Sequence, residues 1–437
     1  MYYDYRQVSE ELTPRAVPCS MNQDRRLLLI YAIIFVDVIV GSAVAPVLPA
    51  FVDDRPHPEL WLALGTGLFL GVQLISGPLL GKLSDGYGRR PIFVVSAVGT
   101  LLANTLLLPV RLGFYLTNRL SDGLTNGMYA TVRSAITDIS PPDKLFKNLG
   151  IEGAILSLGF VIGPAVSGLL LTIFDVIDPD KQARVVILMA VILSVVNVGL
   201  SLLMRETKQT PVVPVSPSEL KTELRQAVAV GTLWSRLNQK DAQSPGLRQL
   251  VLMQLALTLS TGYYFYFVTF MSFGAMQMDA RQISYFFMYF GFLSVIINYV
   301  FYTFFADRIN QRRTIVWLAG LAVPILAGYG LIGTSTLSLY ALVTIDCLTI
   351  SLIQGLIEGL MARHTTDTDR GEIFGLNQAM QGLASIITTL VFGGLSLLDL
   401  RLPFGWFAVC IGAVAWLAWR KPSAPTVAIE SVSNPLG

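Results

Sequence analysis

The chain has 437 residues, 53% of them hydrophobic and only 14% charged, with a formal net charge of +2, where average soluble domains carry roughly 25% charged residues. A soluble fold has no way to hide that much apolar surface, and without a basic or acidic block nothing points to a nucleic-acid partner. Cys19, Cys347 and Cys410 lie far apart and the two histidines, His57 and His364, are too few for a metal cluster, so neither a disulfide framework nor a metal site is expected.

Residues 1–26 read as an N-terminal tail. About twelve apolar runs come after it, each near the ~18 residues or more that a helix needs to cross a ~30 Å hydrocarbon core. Their approximate spans are 27–50, 60–81, 91–110, 112–132, 149–173, 185–204, 249–273, 282–305, 314–333, 338–361, 372–396 and 403–419. Ala43 and Ala45 give the first run a small-x-small pattern suited to signal cleavage. Pro46 directly after it, Asp37 inside it and the further spans downstream favour a retained helix.

The second and third runs are joined by "GKLSDGYGRRP" (81–91), in which Gly81 and Gly88 permit a tight turn and Asp85 sits among Arg89, Arg90 and Lys82. Two readings stand. One is a stop-transfer anchor; the other is a charge cluster that latches helix ends of two halves together. With the N-terminus inside, short inner loops hold eleven Lys and Arg against six outside, which places both termini on the cytoplasmic side.

Charges within the apolar runs need a partner or a wet cavity, since each costs at least ~2.5 kcal/mol at mid-membrane. Asp37 lies in the first run, while Arg119 and Asp122, three apart on one helix face and able to pair, lie in the fourth. These three are expected to form a proton-coupling network facing a central cavity; a structural ion network is the alternative. The fifth run, "GIEGAILSLGFVIGPAVSG", places Gly150, Gly159, Gly163 and Gly168 with Pro164 so as to groove and kink a helix.

Residues 205–247 form the only long polar connection, and it comes after the sixth run. The chain therefore divides into a bundle at 27–204, a cytoplasmic linker, a bundle at 248–420 and a tail at 421–437 that reads as disordered. Within the linker, Ser216, Pro217 and Glu219 predict a helix start. Leu220, Leu224, Val228, Leu233, Trp234 and Leu237 then recur at helical spacing, which suits a helix lying on the membrane face or one packed on the protein.

In the second half Asp346 is expected to bind a cationic substrate or a second proton, or to serve structurally with Thr344 or Thr349, and Glu358 lies nearer the inner end. Tyr263 and Tyr289, from an aromatic-dense seventh and eighth run, and the amides Asn298, Gln354 and Gln378 are candidate substrate contacts. The halves also echo each other: "SDGLTNGMYA" (121–130) matches "IQGLIEGLMA" (353–362), and "LSDGYGRR" (83–90) matches "FADRINQRR" (305–313), which adds Asp307 and Arg308 to the candidate cytosolic gate.

With these motifs the chain resembles the major facilitator superfamily over residues 27–420, and within it the twelve-helix drug/proton antiporters typified by tetracycline exporters. The resemblance implies an all-α membrane fold of two pseudo-symmetric six-helix bundles. It puts Gly81, Asp85, Gly88, Arg89 and Arg90 in register with the family's loop motif and supplies Asp138 as the acid that pairs with the arginines. The glycines and Pro164 of the fifth run match an antiporter signature, with Ser167 where a second glycine is usual. The same resemblance implies a proton-coupled exporter of a small amphiphilic or cationic compound, a monomer in the cell (inner) membrane, with no cofactor beyond the proton gradient. Import or exchange of a metabolite or siderophore is the alternative, and a non-transporting sensor a more distant one. Ala103 and Asn104 stand where tetracycline exporters carry an acid, which separates this chain from tetracycline itself. "GPLLGK" (77–82) falls short of a phosphate-binding loop and no nucleophile elbow occurs, so neither a nucleotide-driven pump nor an enzyme is expected.

Overall fold

The computed structural model describes residues 21–126, 128–141, 144–175, 177–208, 215–227, 229–305, 309–364 and 370–420. Asp307, Arg308, most of the N-terminal tail and the tail at 421–437 lie outside the described residues. Among those described, regular structure is helical throughout: α1 (Met21–Val44), α2 (Pro58–Tyr87), α3 (Arg89–Leu106), α4 (Leu112–Thr125), α5 (Met128–Ile139), α6 (Leu145–Ile173), α7 (Pro179–Leu203), α8 (Pro217–Ala227), α9 (Val230–Gln243), α10 (Leu247–Thr261), α11 (Tyr263–Phe273), α12 (Ala280–Phe304), α13 (Gln311–Tyr329), α14 (Thr336–Arg363), α15 (Arg370–Ser396) and α16 (Leu402–Trp419).

Short polar residues start several of these helices by accepting an orphan backbone N–H. Asp178 accepts from Lys181 N, Asn310 from Arg313 N and Ser335 from Ser338 N, while Asp279 and Gln282 form a reciprocal capping box. Among the described residues, nine helical stretches are long and apolar enough to cross a membrane by length and composition. The remaining spans are shorter or interrupted. Arg89 and Arg90 open α3, Arg312 and Arg313 lie in the first turn of α13, and the fourth span divides into α4 and α5.

Three departures from unbroken spans matter for the site. The first ends in a 3-10 segment, Ala45–Phe51, where Pro46 and Pro49 remove backbone donors. The fourth breaks between Thr125 and Met128, and the seventh divides at Gly262 into α10 and α11.

In the first half α1 packs on α6 and α7, α2 on α4, and α3 on α4 and α7; in the second, α13 packs on α14 and α16, and α10 on α14, α15 and α16. The second half holds one continuous apolar core, running from Tyr266 and Phe404 to Ile357 and Met361. The first half holds two: one around Val44, Phe51, Tyr115 and Ile187, the other around Ile33, Phe93, Val132 and Ile136. The buried polar side chains Asp37, Asn104, Ser194 and Asn197 belong to neither.

Outward-facing leucine, phenylalanine and tryptophan, such as Leu102, Phe160, Phe292 and Trp317, are exposed at 61%, 63%, 61% and 76%, an apolar girdle that water would not tolerate and lipid does. The linker helix α9 does not lie on that girdle. Leu233 and Leu237 are buried in the core of the second half, where α9 meets α10 and α15; Val228 lies outside the described residues.

Candidate functional site

Asp37 sits in the middle of α1, 5% exposed, where three helices converge. Its two carboxylate oxygens accept from Tyr129 Oη of α5 at 3.1 Å and from Asn197 Nδ2 of α7 at 3.4 Å. Asp122 of α4 lies within electrostatic reach of Asp37 and of Arg119, and its backbone carbonyl accepts from Asn126 N at 2.8 Å, while Asn126 Oδ1 accepts from Gln73 Nε2 of α2 at 3.3 Å.

The expected Arg119–Asp122 ion pair is not formed; none of the ion pairs among the described residues joins them. Spacing puts both on one face of α4, but Arg119 Nε donates to Asn118 Oδ1 at 2.8 Å and its guanidinium stands over the rings of Phe69 and Tyr115, 5.6 and 5.7 Å from their centroids. Aromatic faces stabilise a cation without neutralising it. Asp122 therefore couples by its field to Asp37 on one side and Arg119 on the other, with Asp37 itself held by uncharged donors.

One turn beyond Tyr129, Arg133 faces the gap between the halves. It pairs with the buried Glu152 of α6 at 3.4 Å and donates to Gln378 of α15 at 3.5 Å, a direct link across the two halves. Gln354 of α14 donates to Glu358 at 3.3 Å, and Glu358 in turn feels the Arg133 charge. Sequence reading places Arg133 in a loop and passes over Glu152, Tyr129 and Asn197. Glu152 carries a usable signal, an acid inside an apolar run, masked by the glycines around it. Tyr129 and Asn197, being uncharged, carry none.

Asp346 and Tyr263 do not face this gap. Asp346 is fully buried between α11, α13 and α14, where Oδ2 accepts from Tyr263 Oη at 2.7 Å and Tyr329 Oη at 3.0 Å while Oδ1 has no partner. Aromatic rings enclose the carboxylate, and Thr349 bonds its backbone carbonyl, the arrangement of the structural alternative. Tyr289 is half-buried on α12, bonded to Thr344 at 2.8 Å and stacked edge-on with Tyr340, and Asn298 bonds the Ser294 carbonyl. Among the described residues no group of three or more His, Cys, Asp or Glu could hold a metal ion.

The charged loop is built around Arg89. Its guanidinium bonds Asp85 at 2.5 Å, Asp138 at 2.9 Å and Ser84 at 2.7 Å. Glu206, just after α7, accepts the backbone N–H groups of Arg89 at 2.8 Å and Arg90 at 3.1 Å, along with those of Thr207 and Lys208. Gly88, at φ +105°, lets Glu206 approach: a Cβ there would fall 2.5 Å from Glu206 Oε2. Burial alone would raise the Glu206 carboxyl, but these four N–H groups hold it below its ordinary range. Among the described residues none of these partners comes from the second half: Ser84, Asp85 and Asp138 belong to the first half, and Glu206, Thr207 and Lys208 to the start of the linker. The expected latch between halves is thus, in this conformation, a cluster that binds α2, α3, α5 and the start of the linker into one unit.

The glycines of α6 serve two neighbours. A Cβ at Gly159 would fall 2.7 Å from Val38 and one at Gly163 2.7 Å from the Ile39 carbonyl, so both seat α1; Gly168 faces Ser284 of α12, while Gly150 faces open space. Pro164 lies within the same helix. Contacts between the halves run along α2 and α15 from Ala63–Gly393 to Leu74–Gly382, and along α6 and α12 from Gly168–Ser284 to Val161–Gly291. They gather toward the end that carries the 3-10 segment, leaving Arg133, Gln354 and Gln378 exposed toward the other.

This arrangement matches what the chain is similar to. The model of the Major Facilitator Superfamily matches residues 30–389. The chain belongs to the major facilitator superfamily. It is a multi-pass membrane transporter of this superfamily, all-α like its structural neighbours. The tetracycline resistance protein, class H, of Pasteurella multocida is 32% identical over 152 residues, 34% of this chain and 38% of that protein, so the chain matches well under half of that relative's length. Solute carrier family 67 member A1 of Homo sapiens is 24% identical over 365 residues, 80% of this chain and 81% of that protein. Among solved structures, the human organic anion transporter MFSD10 superposes with a TM-score of 0.63 at 16% identity, covering 91% of this chain and 100% of that one, a likeness of fold.

Proposed function

We propose that this superfamily transporter is a proton-coupled antiporter that exports a small amphiphilic or cationic compound by alternating access. The observation that carries the reading is Asp37, held mid-helix by Tyr129 and Asn197 within reach of Asp122, which itself lies in the field of Arg119, a cation without a carboxylate partner among the described residues. Charged, Asp37 accepts both hydrogen bonds; protonated, it gives up its repulsion of Asp122, which in turn lies in the field of Arg119, so proton occupancy biases how α1, α4 and α5 sit against each other. A substrate entering the gap near Arg133, Gln354 and Gln378 competes with that proton through the same field. The α6 glycines that seat α1 and abut α12, and the partial likeness to tetracycline resistance proteins, support antiport.

In this reading both termini are cytoplasmic, residues 27–204 and 248–420 rock as two bodies, 205–247 links them, and the protein works as a monomer without a cofactor in the cell membrane. The test is proton release from energised everted vesicles on addition of compounds from a small panel. Asp37→Asn and Arg119→Ala should each abolish proton-linked flux while the protein remains inserted; unchanged flux in either would refute the network. Flux in the opposite direction would favour import or exchange.

A second reading, transport of an organic anion, is favoured by one observation: Arg119 has aromatic and amide neighbours but no ion pair among the described residues. An anionic member of the panel that is moved by the wild type but not by Arg119→Ala would select it.

A further inference from the structure

At the end of the molecule that carries the Arg89 cluster, the start of α1 and the residues after α7 enclose a cavity of about 210 Å³ lined by Arg25, Arg26, Leu29, Ile30, Leu203, Met204, Arg205 and Thr207. Three guanidinium groups share it. Among the described residues none of the three has an ion pair or a hydrogen-bond partner, and Arg26 Nε is sealed from solvent with its donor unmet. Of the acids nearby among the described residues, neither neutralises them. Glu206 commits its carboxylate to four backbone N–H groups, and Asp138 binds Arg89.

Like charges gathered around a cavity repel unless an anion fills it, and a buried donor without a partner marks a missing acceptor. The volume is below the roughly 300–1,000 Å³ of clefts that take drug-sized molecules, so it suits one compact anionic group. Below the arginines the wall turns apolar through Leu29, Ile30, Leu203 and Met204, and beside it Leu28 and Leu203 are exposed at 68% and 72% on the outer surface of the helices. A polar head over an outward-facing apolar wall is the profile of a membrane lipid, whereas a free phosphate would have no use for the leucines.

We propose that this cavity binds the phosphate of an anionic glycerophospholipid, with Arg26 at its base, Arg25 and Arg205 at its rim and an acyl chain along Leu28 and Leu203. Occupancy ties the start of α1, the helix that also carries Asp37, to the end of α7, which carries Asn197.

Native mass spectrometry of the full-length protein released from detergent tests it, with phosphatidylglycerol or phosphatidylcholine added at equal concentration and inorganic phosphate as a competitor. The wild type should retain one phosphatidylglycerol in preference to phosphatidylcholine. Each arginine replaced by glutamine should weaken that retention about fivefold, the equivalent of about 1 kcal/mol per basic side chain at an anionic surface. Arg26→Gln probes the base; Arg25→Gln and Arg205→Gln alter only exposed rim positions and keep the test valid if the first variant folds poorly. Equal retention of the two lipids, or undiminished phosphatidylglycerol binding in the rim double variant, would overturn the site. Displacement of the lipid by millimolar inorganic phosphate would overturn the lipid as its occupant.

Discussion

Asp37 and Asp346 are both acids at mid-helix, and their surroundings set them apart. Asp37 is bonded by one tyrosine and one amide at the seam of three helices, within the field of a second acid. Asp346 is enclosed by rings and bonded twice through one oxygen. Asp346→Ala strands two tyrosine hydroxyls, at about 1–3 kcal/mol each, so apparent Tm should fall by several degrees. Asp346→Asn keeps an acceptor oxygen and should preserve both folding and proton-linked flux; a folded Asn variant without flux would move Asp346 into the transport machinery. Glu206 gives a prediction of opposite kind. Its carboxyl is held below the ordinary value near 4.5, so the charged form is favoured on folding. Its contribution is complete above that ordinary value and is lost as pH falls through the lowered one. Thermal stability of the wild type should therefore drop on acidification below pH 4.5, and Glu206→Gln should flatten that drop. Identical profiles would show that its four N–H contacts add nothing.

At the scale of helices, α6 is where packing is least forgiving. Gly163→Val would drive a branched side chain into the α1 backbone, an overpacking that typically costs about 1–3 kcal/mol, and should lower both Tm and flux. Gly150→Ala, in open space, should be neutral or stabilising by about 0.5–1 kcal/mol; matching losses at both positions would mean that the α1 contact is not what the glycines serve. The helices themselves were legible in the sequence because a bilayer leaves the chain one solution, a long apolar run, and among the described residues helices stand at those positions, nine stretches of them long and apolar enough to span. The breaks near Asn126 and at Gly262 were not, since a single polar or small residue inside a run does not say whether neighbouring helices will support a kink. Spacing likewise put Arg119 and Asp122 on one face, but the rings of Phe69 and Tyr115 come from the fold, and they decided where the guanidinium points. The charge cluster at Asp85 and Arg89 was visible as composition, whereas the closing of its ring among the described residues depended on Glu206 from a distant segment.

For the molecule as a whole, the halves touch at one end and part toward the other. A Cβ built on Gly393 lies 2.7 Å from that of Ala63, within reach of a disulfide, whose Cβ atoms stand about 3.5–4.5 Å apart after slight adjustment. Ala63→Cys with Gly393→Cys should cross-link on oxidation and stop transport, and reduction should restore it. Free turnover in the cross-linked protein would show that this seam never opens. The division of the apolar interior has a mechanical meaning as well. The second half, with its unbroken aromatic centre, behaves as a stiff block. The first half is waisted: two greasy knots joined by a belt of amides, hydroxyls and one acid, where bending breaks a few hydrogen bonds instead of a packed jigsaw. In the antiport cycle proposed above, the ionisable group at that waist would sit on the compliant partner of the pair, so that loading or unloading a single proton would need only to flex the part of the protein that is easiest to flex.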